Sequence, residues 1–179
     1  MKILRVLLSI VGLVLLAGAA YLAYARMHDG PLGIVAGGAF GSGTWDADTT
    51  ADLGFVRDRQ TVEFQLLEPA RSRTTWIVLH EGRLFIPSGY MNGLLGTLWK
   101  HWPHEAEADG RVVLRIDGVR YPRQLVRYPG GPEAAAILAE LKRKYGMQGT
   151  EAMIASGDLW LFELQPRAAT AAELGAGDG

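Results

Sequence analysis

Arg111-Val-Val-Leu-Arg-Ile-Asp-Gly-Val-Arg-Tyr-Pro-Arg-Gln-Leu-Val-Arg-Tyr128 is the stretch whose reading decides the fold. Asp117-Gly118 at its centre is the strongest two-residue hairpin signal in the chain. The turn that joins right-twisted strands needs positive φ at both central residues, which Asp tolerates and Gly adopts freely. Its flanks, Arg111–Ile116 and Val119–Tyr128, are rich in β-branched and aromatic residues, so the segment reads as two antiparallel neighbours.

The same grammar recurs on either side. In Thr61–Leu66, Val62, Phe64 and Leu66 alternate with Thr61, Glu63 and Gln65, the period of a half-buried strand. Arg73–His80 and Arg83–Pro87 flank His80-Glu-Gly-Arg83, a second tight hairpin, and Leu159–Leu164 supplies a last strand. Leu94, Leu95, Leu98, Trp99 and Trp102 follow helical spacing, and Pro103 suits the first turn of a short helix through Ala108. Glu133–Tyr145 carries an apolar stripe of Ile137, Leu138 and Leu141 and ends at Gly146, a natural C-cap. No βαβ rhythm appears, which excludes a doubly wound nucleotide fold. Six short antiparallel strands must hide their edges, and a small barrel with helices outside does so most simply.

Composition narrows the function. The chain has 179 residues, enough for one ordinary domain with attachments. Its 49% apolar and 21% charged content excludes a disordered or coiled-coil protein. Eighteen basic against 19 acidic residues give a net charge of -1, with no support for electrostatic capture of nucleic acid. There is no Cys, so disulfide frameworks, thiol nucleophiles and cysteine-ligated metals are excluded.

Residues 1–26 stand apart. Met1–Arg5 is a basic head, and Val6–Ala25 is a 20-residue run without charge, about the ~20 residues a helix needs to cross the hydrocarbon layer. Lys2 and Arg5 favour a cytoplasmic N-terminus, which puts the domain outside the cytoplasm, periplasmic or extracellular. Ala23-Tyr-Ala25 also fits a cleavage site, but the apolar run is longer than a signal-peptide core, so an uncleaved membrane anchor is the expectation. Without residues 1–26 the chain keeps 15 basic and 19 acidic side chains, a net of -4. Residues 27–60, punctuated by Gly, read as an irregular linker and wrapping segment; 61–165 form the barrel domain; and 166–179 read as a disordered tail.

The ordered set Arg73-Thr-Thr-Trp-Ile-Val, the His80–Arg83 hairpin, Leu-Phe-Ile-Pro-Ser88, Leu-Trp-Lys100, Asp109–Gly118 and the helix ending Lys-Arg-Lys-Tyr-Gly146 resembles the split β-barrel superfamily of pyridoxamine phosphate oxidase-like flavin proteins and their deazaflavin-dependent nitroreductase-like relatives. The anchor followed by Asp29-Gly-Pro-Leu-Gly33 and Gly37-Gly38 is similar to a membrane-anchored, uncharacterised subgroup. The resemblance spans Thr61–Gly146 and implies a mainly β fold, a six-stranded antiparallel split β-barrel with outer helices. It implies a flavin or deazaflavin cofactor whose phosphate and ribityl chain lie on Arg73, Thr74, Thr75, Ser88 and Lys100. A guanidinium fork, hydroxyls and an ammonium are what a phosphate needs. Trp76, Trp99 or Trp102 would cover the ring. A homodimer, with the cofactor across its interface, is implied with it.

Other constellations have plainer readings. His101-x-x-His104 is interrupted by Pro103 and reads as a helix junction rather than a metal site. Asp46, Asp48 and Asp52 lack the terminal Glu and turn Gly of a calcium loop. Gly37–Gly43 has no strand before it and no Lys after it, and reads as a flexible linker. Ser88 and Ser156 lack a nucleophile-elbow context. Lys142-Arg143-Lys144 complements a helix dipole. The expectation is thus an exported, membrane-anchored split-barrel protein with a flavin or deazaflavin cofactor, acting as an oxidoreductase. The alternative is a cofactor-free envelope binding module for an apolar ligand or a protein partner.

Overall fold

The computed structural model describes residues 1–93 and 100–175. The expected helical positions Leu94, Leu95, Leu98 and Trp99 lie outside them. In chain order the elements are α1 (Lys2–Met27), β1 (Thr44–Trp45), a 3-10 turn (Gly54–Asp58), β2 (Thr61–Leu66), β3 (Arg71–Trp76), β4 (Val78–His80), β5 (Arg83–Ser88), α2 (Trp102–Ala108), β6 (Arg111–Ile116), β7 (Val119–Tyr128), α3 (Ala134–Tyr145), α4 (Glu151–Ala155), β8 (Trp160–Pro166) and α5 (Ala171–Gly175).

Both hairpins form as the turn chemistry requires. Asp117 and Gly118 take φ of 50° and 79°, Glu81 and Gly82 take 48° and 77°, and the strands close on Ile116↔Val119 and His80↔Arg83. The sheet runs β3-β2-β6-β7-β8-β5-β4, with β1 beside β7 off this path. Its two end strands are consecutive in the chain, separated by Ile77 alone. Residues before Ile77 pair with β2 and residues after it pair with β5. The result is a mainly β, curled half-barrel sheet with a few helices, and one bent strand joins its two ends.

Among the described residues the strand count is eight, against the six expected. The expected strand Arg73–His80 starts at Arg71 and breaks at Ile77, and Thr44–Trp45 adds a short strand parallel to β7. The break has a chemical cause. The Ile77 N–H donates to the Tyr145 hydroxyl at 2.9 Å, and its carbonyl accepts from Lys144 Nζ at 2.8 Å. Side chains from the end of α3 thus replace ladder partners at the point where the strand changes neighbour.

Two apolar clusters fill the molecule. The inner one gathers Val62, Phe64, Leu66, Ile86, Leu114, Ile116 and Phe162; the outer one packs Ile137, Leu138 and Leu141 of α3 on Val78, Phe85 and Leu161. Strands β5 and β8 are therefore buried on both faces, which explains their unbroken apolar runs Leu84-Phe-Ile and Leu161-Phe. α4 starts at Thr150, whose hydroxyl accepts the Met153 N–H at 3.2 Å.

The Gly-rich segment after α1 is strapped onto the barrel. Gly37 exchanges backbone hydrogen bonds with Ser72 at 2.9 and 3.3 Å, and the Thr44 N–H reaches the Gly118 carbonyl at 3.0 Å. The Phe40 N–H donates to Gln65 Oε1 at 2.6 Å, which is why this outward-reading Gln is buried. Arg115 joins Asp29 of the strap at 2.8 Å to Glu63 of β2 at 2.7 Å. A Cβ on Gly37 would overlap the Gly30 carbonyl, and one on Gly38 would press on the Arg26 carbonyl at the end of α1. These glycines permit close backbone approach rather than flexibility. The Asp triplet also serves turns: Asp46, Asp48 and Asp52 accept the backbone N–H of Asp48, Thr50 and Gly54.

Candidate functional site

A groove of about 700 Å³ lies where α1 meets the outer edge of β3. Its walls are Ala19, Leu22, Ala23 and Arg26 of α1, Ile34–Ala36 of the strap, Arg71, Arg73 and Thr74 of β3, and Lys100 with Trp102. Four of these residues are cations, and no carboxylate is among them. β3 brings Arg71 and Arg73 to one face through the two-residue period of a strand. Because Ser72 gives its backbone N–H and carbonyl to Gly37, those groups point away from β2. Thr74, two residues on, directs its own backbone groups to the same outer edge.

Arg73 is the most confined of the cations. It stands 3.8 Å from Glu105 Oε2, close enough to attract but without a hydrogen bond. Its Nη1 and Glu105 Oε2 are both buried without a hydrogen-bond partner among the described residues. Burial pulls the Arg73 guanidinium below its ordinary value, Glu105 opposes that pull, and the neighbouring Arg71 adds to it. Lys100 is likewise pulled down by burial, with Asp158 partly restoring it. Lys100 Nζ donates to the Gly89 carbonyl at 2.6 Å, which fixes the ammonium and leaves further N–H bonds to give. Confined cations facing a common groove favour an anion with several acceptor oxygens, and a phosphate has that form.

Of the residues expected from sequence, Arg73, Thr74 and Lys100 come together here. Thr75 shares the face of Arg73 but does not line the groove. Trp76 is 42% exposed and stacks on Tyr145, with ring centroids 4.7 Å apart and planes at 7°. Ser88 is buried, and its hydroxyl lies 3.3 Å from Met91 Sδ. Trp102 borders the groove, but its ring belongs to the core, against Phe64 and Phe162; Trp99 lies outside the described residues. His104 packs edge-on against Trp160. Sequence reasoning passed over Arg26 and Arg71. The parity of Arg71 with Arg73 was a readable signal; the approach of Arg26 depends on how the strap folds back.

The donor set fits the phosphate of a flavin-type cofactor. For its ring, the exposed Tyr90 stands with its ring centroid 6.0 Å from Lys100 Nζ, while the Trp102 ring of the groove wall is held in the core.

No family model matches the chain, and no curated protein matches it. Similar chains are found among solved structures. They include a putative pyridoxamine 5'-phosphate oxidase from Listeria innocua, 17% identical over 64% of this chain and 90% of that one, with a TM-score of 0.45. The heme storage protein HutZ from Vibrio cholerae is 14% identical over 65% and 87%, also at 0.45, and an F420 reductase is 13% identical over 64% and 92%, at 0.39.

Proposed function

We propose that this is a membrane-anchored binding protein, with its barrel on the periplasmic or extracellular side, whose groove holds a phosphorylated ligand by its anionic end. The observation that carries the reading is the Arg73 guanidinium, buried at one nitrogen without an acceptor among the described residues, in a groove shared with Arg71, Thr74 and Lys100. Anchoring is supported by α1, which is long and apolar enough to cross a membrane. The ligand named by the sequence resemblance is a flavin or deazaflavin phosphate, with which the protein acts as an oxidoreductase. The cofactor then supplies hydride chemistry, while Arg73, Lys100 and the Thr74 N–H bind and orient its phosphate. A homodimer belongs to this reading.

The second reading, a cofactor-free envelope module, draws support from the positions of the rings: Trp76 is stacked on Tyr145 and Trp102 is built into the core. Titration of the full chain in detergent with flavin mononucleotide and a deazaflavin phosphate, followed by quenching of their fluorescence, separates the two. The cofactor reading expects saturable binding that weakens by about tenfold in Arg73→Gln. Absence of binding by either compound removes the oxidoreductase and leaves the module.

A further inference from the structure

The groove has two unlike walls. One is the cationic edge formed by Arg71, Arg73 and Lys100; the other is the apolar face of α1 formed by Ala19, Leu22 and Ala23. A soluble phosphate has no use for the second wall. At about 1.5 Å per residue, Ala19 lies about 10 Å along the helix from Arg26. If Val6–Ala25 fills the hydrocarbon layer, the groove therefore runs from headgroup depth into acyl-chain depth.

The strap makes this alignment a fixed property of the fold. Ala25 is buried at 1% exposure, and the Gly38 N–H holds the His28 carbonyl at 3.0 Å just beyond the helix end. Asp29 is tied through Arg115 to β2. The C-terminal end of α1, where Ala25 is buried, is thus tied to the strap and through it to β2 and β3. Beside them the turn Leu32–Val35, closed by two backbone hydrogen bonds of 3.0 Å, presents a fully exposed Ile34 on the rim of the groove. An isolated apolar tip beside a membrane helix suits insertion among lipid chains.

We infer that the occupant is a phosphate-headed anionic membrane lipid, its phosphate on Arg26, Arg71, Arg73 and Lys100 and its first methylenes along Ala19, Leu22 and Ala23. This rests on the anion-site reading proposed above. The domain as a whole is mildly acidic, so diffuse attraction to an anionic bilayer does not account for such binding; the local cation cluster does.

The test is a titration of the full chain in detergent with phosphatidylglycerol, phosphatidylcholine and flavin mononucleotide in turn, read by native mass spectrometry. Phosphatidylglycerol is expected to stay on the chain about tenfold more tightly than phosphatidylcholine, and to be weakened by about tenfold in Arg73→Gln. Leu22→Asn is expected to weaken the lipid severalfold more than it weakens flavin mononucleotide, whose phosphate needs only the cationic wall. Should Arg73→Gln fail to fold by circular dichroism, Lys100→Gln, which lies outside every strand, takes its place. Equal retention of the two lipids, or retention indifferent to the cation variants, overturns the inference. Arg73-dependent binding of flavin mononucleotide without lipid retention overturns the lipid and keeps the anion site, and failure of both ligands removes both.

Discussion

The Tyr145 hydroxyl lies 2.9 Å from the Ile77 nitrogen and 2.7 Å from the Ile77 carbonyl oxygen, at the one residue where the bent strand exchanges β2 for β5. A strand that changes partners leaves a residue whose backbone groups lack ladder hydrogen bonds, and Ile77 is fully buried. The phenol answers both groups, accepting from the N–H and donating its proton to the Ile77 carbonyl or to that of Gln60 at 2.8 Å. Burial pushes the Tyr145 hydroxyl above its ordinary value, although the hydrogen bond to Ile77 opposes the shift, so the proton needed for donation is retained.

Tyr145→Phe keeps the ring on Trp76 and removes only the hydroxyl. The Ile77 N–H is then buried without an acceptor, at a cost of about 1–3 kcal/mol. Urea unfolding of the full chain in detergent should show that loss. Unchanged stability would mean that another group satisfies the strand break.

Gly37→Ala tests whether the strap is fixed. A Cβ there overlaps the Gly30 carbonyl and comes within 2.7 Å of Ser72 Oγ, so the strap must lift. Cleavage by a nonspecific protease within residues 28–46 should quicken severalfold over the parent chain, while cleavage elsewhere is unchanged. Gly33→Ala, at a position with no atom within 4 Å but positive φ, separates backbone strain from overlap.

These two sites mark what was legible in the sequence and what was not. The hairpins at Asp117-Gly118 and Glu81-Gly82 were readable because turn chemistry is local, and α3 was readable from Ile137, Leu138, Leu141 and Gly146. The break at Ile77 was not, since nothing in Thr75-Trp-Ile-Val reports that Tyr145, far along the chain, supplies the missing partners. Gly37-Gly38 looked like a flexible tether because glycine serves mobility and close approach equally well, and only the neighbours Gly30, Arg26 and Ser72 decide between them. Arg73, Thr74 and Lys100 were named by residue type, and the fold places all three on one groove. The wall that completes their groove comes from α1, whose apolar run was read only as an anchor.

Glu105→Gln probes the cation at the head of the groove. Glu105 stands 3.8 Å from Arg73 and partly offsets its charge without a hydrogen bond. Neutralising it leaves Arg73 less compensated, and a phosphorylated ligand should bind more tightly, by about threefold to tenfold for a close charge near the surface. Flavin mononucleotide titration at low and high salt is the measurement, and the gain should shrink as salt screens it. Unaltered or weaker binding would place the phosphate away from Arg73.

The C-terminal clamp gives a prediction in pH. Arg167 donates to the Arg123 carbonyl at 3.0 Å and the Val112 carbonyl at 3.3 Å, and pairs with Glu173 of α5. Burial alone would raise the Glu173 carboxyl. Hydrogen bonds from Arg167 and from the Thr170 N–H and hydroxyl, at 2.8 and 2.9 Å, outweigh it and hold the group down at about 2, against an ordinary 4.5. A carboxylate whose folded value is depressed contributes stability that is complete above its unfolded value and is lost as pH falls toward the folded one. The parent chain should therefore exceed Glu173→Gln in unfolding midpoint above pH 4.5, and the difference should fade between there and about pH 2. Comparing the two proteins at each pH cancels every other titrating group, so a difference that does not change with pH would show that Glu173 does not hold the clamp through its charge.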